Sequence, residues 1–405
     1  MESADRADRE STDALLEFRG EFPILERTNY LISNSLGAVP RATCDSLKEY
    51  DDTWATRGVR AWEEGWWTLA SDLGDLAAPM IGARPGEVVF QPNVTTAHAI
   101  VLSALDLPAR RRRIVTDAMH FPSILYLLDQ QRRDGVEVVV VPSDDGIRVE
   151  TQRIAEAIDE QTSAVFISHV LFKSAYVHDV ASIAARNRAV GALIVVDGYQ
   201  AVGTIPVDVR RLSVDVYIGG CLKWLCGGPG AAFLWVEPEL IRQLEPRITG
   251  WVSHRTPFAS DDRLSRRDDA WRMLVGTPSI PALHAARPGL QLILKVGIDA
   301  IRAKSLRQTG RLLELADRAG YRCTTPRDPD ERGGTVAIDI EKGYEVSRCL
   351  KALDILCDYR PGAGIRLSPH FYTSDRELDE AVTAIGEILS TRTWQAFTTV
   401  RSTVT

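Results

Sequence analysis

Between residues 86 and 236 the chain alternates short β-branched runs with longer amphipathic stretches, and few folds accept that rhythm. The runs 87–91, 113–117, 136–141, 164–168, 192–197, 214–219 and 231–236 read as strands. Segments of helical length lie between several of them, for example 123–134, 151–160 and 180–190. A strand that is apolar at nearly every position is buried on both faces, and helices packed over a mostly parallel sheet bury it that way. The pattern predicts a large α/β domain built on a seven-stranded, mostly parallel sheet.

After residue 285 the texture changes. Residues 297–319 read as a long charged helix, 324–334 as turns, 335–340 as a strand, and 346–353 and 375–389 as helices. A smaller α+β domain is expected over 286–405, with the large domain over 46–285. Residues 1–45 carry no sheet pattern and are expected to pack with the smaller domain. Two domains also suit 405 residues, a length at which single cores stop growing.

Composition removes several function classes. With 48 Lys+Arg against 55 Asp+Glu the net charge is −7, the wrong sign for a chain that neutralises nucleic-acid phosphates. No apolar run approaches the ~18–20 residues of a membrane span. Residues 1–12 are dense in Asp, Glu and Arg and lack the apolar stretch of a signal peptide, so a cytoplasmic protein is expected. The six cysteines (Cys44, Cys221, Cys226, Cys323, Cys349 and Cys357) form no Cys-x-x-Cys pair, and His-Glu-x-x-His does not occur. Free thiols and no metal site are expected.

Ligands of open α/β sheets collect beyond the carboxyl ends of the strands, and three such ends are unusual here. One run ends at Asp197, followed by Gly198-Tyr199-Gln200. A second leads through Cys221 to Lys223 and the glycines Gly227, Gly228 and Gly230. A third leads to Asn93 and the hydroxyls Thr95 and Thr96 at the start of an apolar helix. Singly, each has an ordinary reading as a turn former, a surface charge or an N-cap. Together they offer a helix N-terminus for a phosphate, a lysine that can condense with an aldehyde, and a carboxylate to face a pyridine nitrogen. Those are the needs of pyridoxal 5'-phosphate. Nucleotide motifs do not compete, since neither Gly-x-x-x-x-Gly-Lys-Ser/Thr nor Gly-x-Gly-x-x-Gly is present.

At these residues the chain resembles the kynureninases, within the class V aminotransferase superfamily of fold type I pyridoxal-phosphate enzymes. The likeness runs nearly the whole length. It takes in Tyr30-Leu-Ile-Ser-Asn-Ser-Leu-Gly37, Asn93-Val-Thr-Thr96, His120-Phe-Pro-Ser123 and Asp197-Gly-Tyr-Gln-Ala-Val-Gly203. It continues through the lysine segment, Thr249-Gly-Trp-Val-Ser-His254, Glu331-Arg-Gly-Gly334, Cys357-Asp-Tyr-Arg360 and Gly364-Ile-Arg-Leu-Ser-Pro369.

The resemblance implies roles. Lys223 would form the Schiff base with the cofactor and later carry the Cα proton. Asp197 would pair with the ring nitrogen, with Gln200 close by, and Phe121 would stack on the ring. Thr95 and Thr96 would hold the phosphate, helped by Trp251 and by Thr277 of the neighbouring subunit. Ser168 would lie near the ring hydroxyl or phosphate, and Arg366 would grip the substrate carboxylate in a two-pronged pairing. A homodimer with the site at its interface follows. His169 stands where class V relatives often carry a ring-stacking histidine, a place Phe121 already takes. Trp62, Trp66 and Trp67 are expected in core or dimer packing, with an aromatic substrate wall as the alternative.

Three departures from the family pattern concern the pocket. Leu222 replaces a tyrosine before the lysine, Ile124 replaces an aspartate after Phe-Pro-Ser, and Gln200 replaces a histidine. All three substitute neutral groups for acidic or titratable ones. The expected activity is cleavage at Cβ of an L-α-amino acid, either carbon–carbon hydrolysis or carbon–sulfur lysis. Transamination, decarboxylative deamination and an inactive cofactor-binding homologue are the alternatives.

Overall fold

The computed structural model describes residues 13–108, 110–259 and 261–398; the polar opening at residues 1–12 lies outside them. Its largest element is a seven-stranded sheet. The short β1 (Asn29–Tyr30) comes before it in the chain. The sheet strands are β2 (Val88–Gln91), β3 (Arg113–Asp117), β4 (Glu137–Val141), β5 (Thr162–Ser168), β6 (Leu193–Asp197), β7 (Val216–Gly220) and β8 (Ala232–Val236). They lie in the order β2-β8-β7-β6-β5-β3-β4. All neighbours are parallel except β8, which runs antiparallel to both β2 and β7. β2, β7 and β8 are buried at every residue, which is why their sequences are continuously apolar rather than alternating. All seven strands coincide with the runs predicted above.

The second body is an antiparallel sheet of β9 (Arg322–Cys323), β10 (Val336–Asp339), β12 (Asp358–Arg360) and β13 (Gly364–Leu367), in the order β12-β13-β10-β9. Helices Ile298–Arg318, Gly343–Ala352 and Asp375–Thr391 share a core with it. The last of these starts at a capping box, in which Ser374 and Glu377 satisfy each other's backbone N–H groups. The N-terminal segment ties the bodies together. β1 pairs in parallel with β11 (Ile355–Leu356), while Gly37 N–H donates to the Leu222 carbonyl at 2.8 Å.

Two long helices were not read from the sequence, Ala42–Arg57 and Ile280–Val296, and they pack on each other. The expected boundaries at 45/46 and 285/286 fall inside them. Pro288 and the charges around it suggest a break, yet the helix runs on to Gly297, whose φ of +85° turns the chain out. All six cysteines are free. Among the described residues no helix is long and apolar enough to cross a membrane.

Candidate active site

Three adjacent strands bring the proposed chemistry together. Ser168 ends β5 and stands in register with Asp197 at the end of β6; β7 beside them feeds the turn that carries Lys223. Parallel neighbours end on the same side, so residues far apart in sequence meet at one edge. Lys223 is 8% exposed. Its Nζ lies over the Tyr199 ring at 4.0 Å from the centroid and over the Phe121 ring at 5.6 Å. Burial lowers its pKa to about 7, a fall that Asp197 partly opposes and Arg366 reinforces. A substantial share of this amine is therefore neutral and nucleophilic near neutral pH.

Glycines let the rings approach. A Cβ on Gly198 would stand 2.4 Å from the Tyr217 hydroxyl, and one on Gly220 would stand 2.6 Å from the Tyr199 ring. Asp197 accepts the Tyr199 N–H through Oδ1 at 2.8 Å. Phe121 is 40% exposed and packs edge-on to Phe172, so one face of its ring is free to cover a planar ligand.

Thr95 and Thr96 occupy the first turn of helix Val94–Ala104. Asn93 caps this helix, accepting from Thr96 N–H at 2.8 Å and lying 3.0 Å from Thr96 Oγ1. A cleft beside this turn is lined by Trp67, Gln91, Thr96, Gly276 and Thr277. Thr96 and Thr277 of one chain both line it. Lys223 is not on that cleft's wall; it sits under the Tyr199 and Phe121 rings. Trp251, 44% exposed, packs against Trp67 and Phe258 beside Thr249 and Gly250.

Other residues of this region are held by contacts within the protein. Gln200 donates to the Asn34 carbonyl at 2.9 Å and accepts from Trp224 Nε1 at 2.8 Å, so both ends of its amide are bonded within the protein. Ser168 Oγ lies 3.4 Å from His120 Nδ1. His169 turns away to Tyr217, 2.8 Å from Nδ1 to the hydroxyl, and burial lowers its pKa to about 4. Trp66 stacks on Tyr50 with Trp62 edge-on to it, and only Trp67 of the three reaches the cleft wall. Ile124 is a core residue and Leu222 is half-buried.

Arg366 comes from β13 and is nearly fully buried. Its Nε donates to Asp358 Oδ1 at 2.8 Å, its Nη2 bonds Asp358 Oδ2, and its Nη1 bonds the Phe172 carbonyl. Three of five N–H groups are so engaged, and one on each Nη remains for a ligand. Asp358 and Tyr199 also belong to this site and stand in motifs already singled out, Cys357-Asp-Tyr-Arg360 and Gly198-Tyr199-Gln200, whereas no local motif marks His98.

These residues fit pyridoxal phosphate. Among the described residues the buried amine has no hydrogen-bond or ion-pair partner; a carboxylate ends the neighbouring strand, an exposed aromatic face stands nearby, and a capped helix start presents hydroxyls. The profile of the family described as aminotransferase class V matches residues 29–357. A kynureninase of Pseudomonas fluorescens is 34% identical over 413 residues, spanning 98% of this chain and 98% of that one. A kynureninase of Burkholderia pseudomallei is 32% identical, over 95% and 94%. Among solved structures, a cysteine desulfurase of Thermococcus onnurineus NA1 superposes with a TM-score of 0.82 at 22% identity, covering 93% of this chain and 98% of that one. The cystine C–S lyase C-DES, in complex with its product cysteine persulfide, gives 0.83 at 21% identity, covering 90% and 99%.

Proposed function

Because the chain belongs to the class V aminotransferase family and is a pyridoxal-phosphate enzyme of the kynureninase-like group, we propose that it cleaves the bond from Cβ of an L-α-amino acid. Hydrolysis of a Cβ–Cγ bond, as in kynureninase, is the reading best supported, because the full-length relatives carry that name. Carbon–sulfur lysis is the second reading, favoured by Leu222, which puts a neutral side chain where the family has a titratable tyrosine before the lysine. The observation that carries the proposal is the buried, partner-free Lys223 amine beside Asp197.

When bound, pyridoxal phosphate supplies an electron sink for a carbanion at Cα. Lys223 would anchor the aldehyde and carry the Cα proton. Asp197 would pair with the ring nitrogen, and Phe121 would cover the ring. Thr95 and Thr96 would hold the phosphate, with Thr277 and Trp251 contributing at that end and Ser168 near the ring. Arg366, held by Asp358, orients the substrate carboxylate through its two remaining N–H groups. We infer a homodimer, consistent with the apolar surface of Trp54, Val59 and Phe258, three large side chains more than half exposed in one chain.

The test is absorbance and product analysis. The purified protein takes up pyridoxal phosphate and turns yellow, and Lys223→Ala does not. Kynurenine and cysteine conjugates then separate the chemistries, anthranilate marking hydrolysis and pyruvate with thiol marking lysis. A wild type that stays colourless with added cofactor overturns the reading.

A further inference from the structure

Beneath the cleft three buried groups converge from three elements. His98 comes from helix Val94–Ala104, His120 from the turn after β3, and Asp197 from the tip of β6. One side-chain atom of each lies within 4.8 Å of the other two. Both imidazoles are buried, and among the described residues neither His98 Nε2 nor His120 Nε2 has a hydrogen-bond partner. Buried ring nitrogens without a partner are uncommon in a folded core.

The other contacts of each ring fix its tautomer. His98 Nδ1 lies 2.9 Å from the Val94 carbonyl, which only accepts, so Nδ1 carries the proton and Nε2 is a bare lone pair. His120 is the reverse. Phe121 N–H donates to its Nδ1 at 2.8 Å, so Nδ1 is the lone pair and Nε2 carries the proton. His120 Nε2–H is then a donor without an acceptor among the described residues, and the ionisable groups near this ring are His98, Asp197 and His178. Burial lowers the pKa of both rings, in keeping with one proton on each.

Two imidazoles and a carboxylate also resemble a cation site. A cation on His120 Nε2 would need the lone pair there, forcing the proton onto Nδ1 against the Phe121 N–H. The backbone bond disfavours that arrangement. The Asp197 carboxylate, by contrast, accepts just the Tyr199 N–H among the described residues.

We propose that His120 is a positioning residue for Asp197: its unpartnered Nε2–H closes onto that carboxylate when pyridoxal phosphate binds, so that the carboxylate's other oxygen is aimed at the cofactor's ring nitrogen. The residue that covers the ring, Phe121, would then also set the proton behind it through its backbone N–H. This rests on Asp197 being the partner of that nitrogen.

The test loads the full-length protein with pyridoxal phosphate labelled with 15N in the ring and reads the nitrogen's chemical shift and the cofactor dissociation constant. The wild type gives a protonated ring nitrogen. His120→Phe moves the shift toward the unprotonated value and weakens binding on the order of tenfold, the effect of one charge-assisted hydrogen bond. His120→Gln, which keeps an N–H near the Nε2 position, restores both, and His98→Leu leaves the shift in place. A folded His120→Phe with wild-type shift and affinity overturns the proposal. If Asp197→Asn also leaves the shift unmoved, the assignment of Asp197 itself falls; if only Asp197→Asn moves it, the assignment stands and the role of His120 falls. Should His120→Phe not fold, 15N-histidine spectra of the wild type decide. An Nδ1–H tautomer at His120, or stoichiometric Zn²⁺ uptake abolished by His98→Leu, overturns the proposal, and an Nε2–H tautomer supports it.

Discussion

Arg366 donates side-on to the carboxylate of Asp358, its cross-strand partner in the small sheet, and both side chains are buried. A guanidinium tethered along one edge keeps its orientation without substrate. Asp358→Ala leaves that buried cation unpaired, which costs about 3–5 kcal/mol of stability. Thermal melting should show the loss. In the fraction that folds, KM for the amino acid should rise more than kcat falls, because the arginine can rotate.

The lowered pKa of Lys223 gives two pH effects. The rate at which apoprotein captures pyridoxal phosphate should climb with a midpoint near pH 7, following the neutral amine, and stopped-flow absorbance measures it. Stability moves in the same direction. Between about 7 and the ordinary value of 10.5 the unfolded chain binds a proton that the folded chain does not, so the apoprotein gains stability as pH rises through that window. Below pH 7 both states are protonated and the burial cost is felt in full. Lys223→Met should therefore raise the melting temperature at pH 6, with the advantage gone by pH 10.5.

Asn93→Ala removes the cap of the helix that carries Thr95 and Thr96, with an expected cost of about 1 kcal/mol. Cofactor affinity should fall with it. Asn93→Ser, which can cap in the same way, should recover most of both in a titration followed by fluorescence.

Gln200 separates a structural from a ligand-binding role. Gln200→Ala leaves the Trp224 Nε1–H and the Asn34 carbonyl without partners, an expected cost of about 1–3 kcal/mol. If the amide only braces the protein, cofactor affinity should stay within about twofold of wild type. A tenfold loss of affinity in a folded variant would assign it to the cofactor.

The large sheet was legible because most of its strands are buried on both faces and announce themselves as apolar runs, the partly exposed edge strand β4 excepted. Lys223 and Asp197 were legible because strand ends are marked by a change from β-branched residues to glycine and charge. Helix Ile280–Val296 was not, since Pro288 reads locally as a break and only packing against Ala42–Arg57 overrides it. His98 was hidden for a different reason. Its helix is apolar nearly all round, and its packing against β7 and β8, which no local spacing reveals, brings the ring toward Asp197. The bracing role of Gln200 depends on Asn34, far away in sequence, and no local spacing encodes such a contact.

Gly37 sits so close to the lysine turn that a Cβ there would stand 2.1 Å from the Lys223 carbonyl oxygen. The wall behind the amine is thus made from the beginning of the chain, and the arginine facing it comes from near the end. On the ribosome, residues 34–37 wait for about two hundred more to be made before they meet their partners. A nascent chain stopped before β13 holds the lysine without Arg366. Cofactor capture with substrate discrimination would therefore report that synthesis has reached the last strand, whereas colour alone would not.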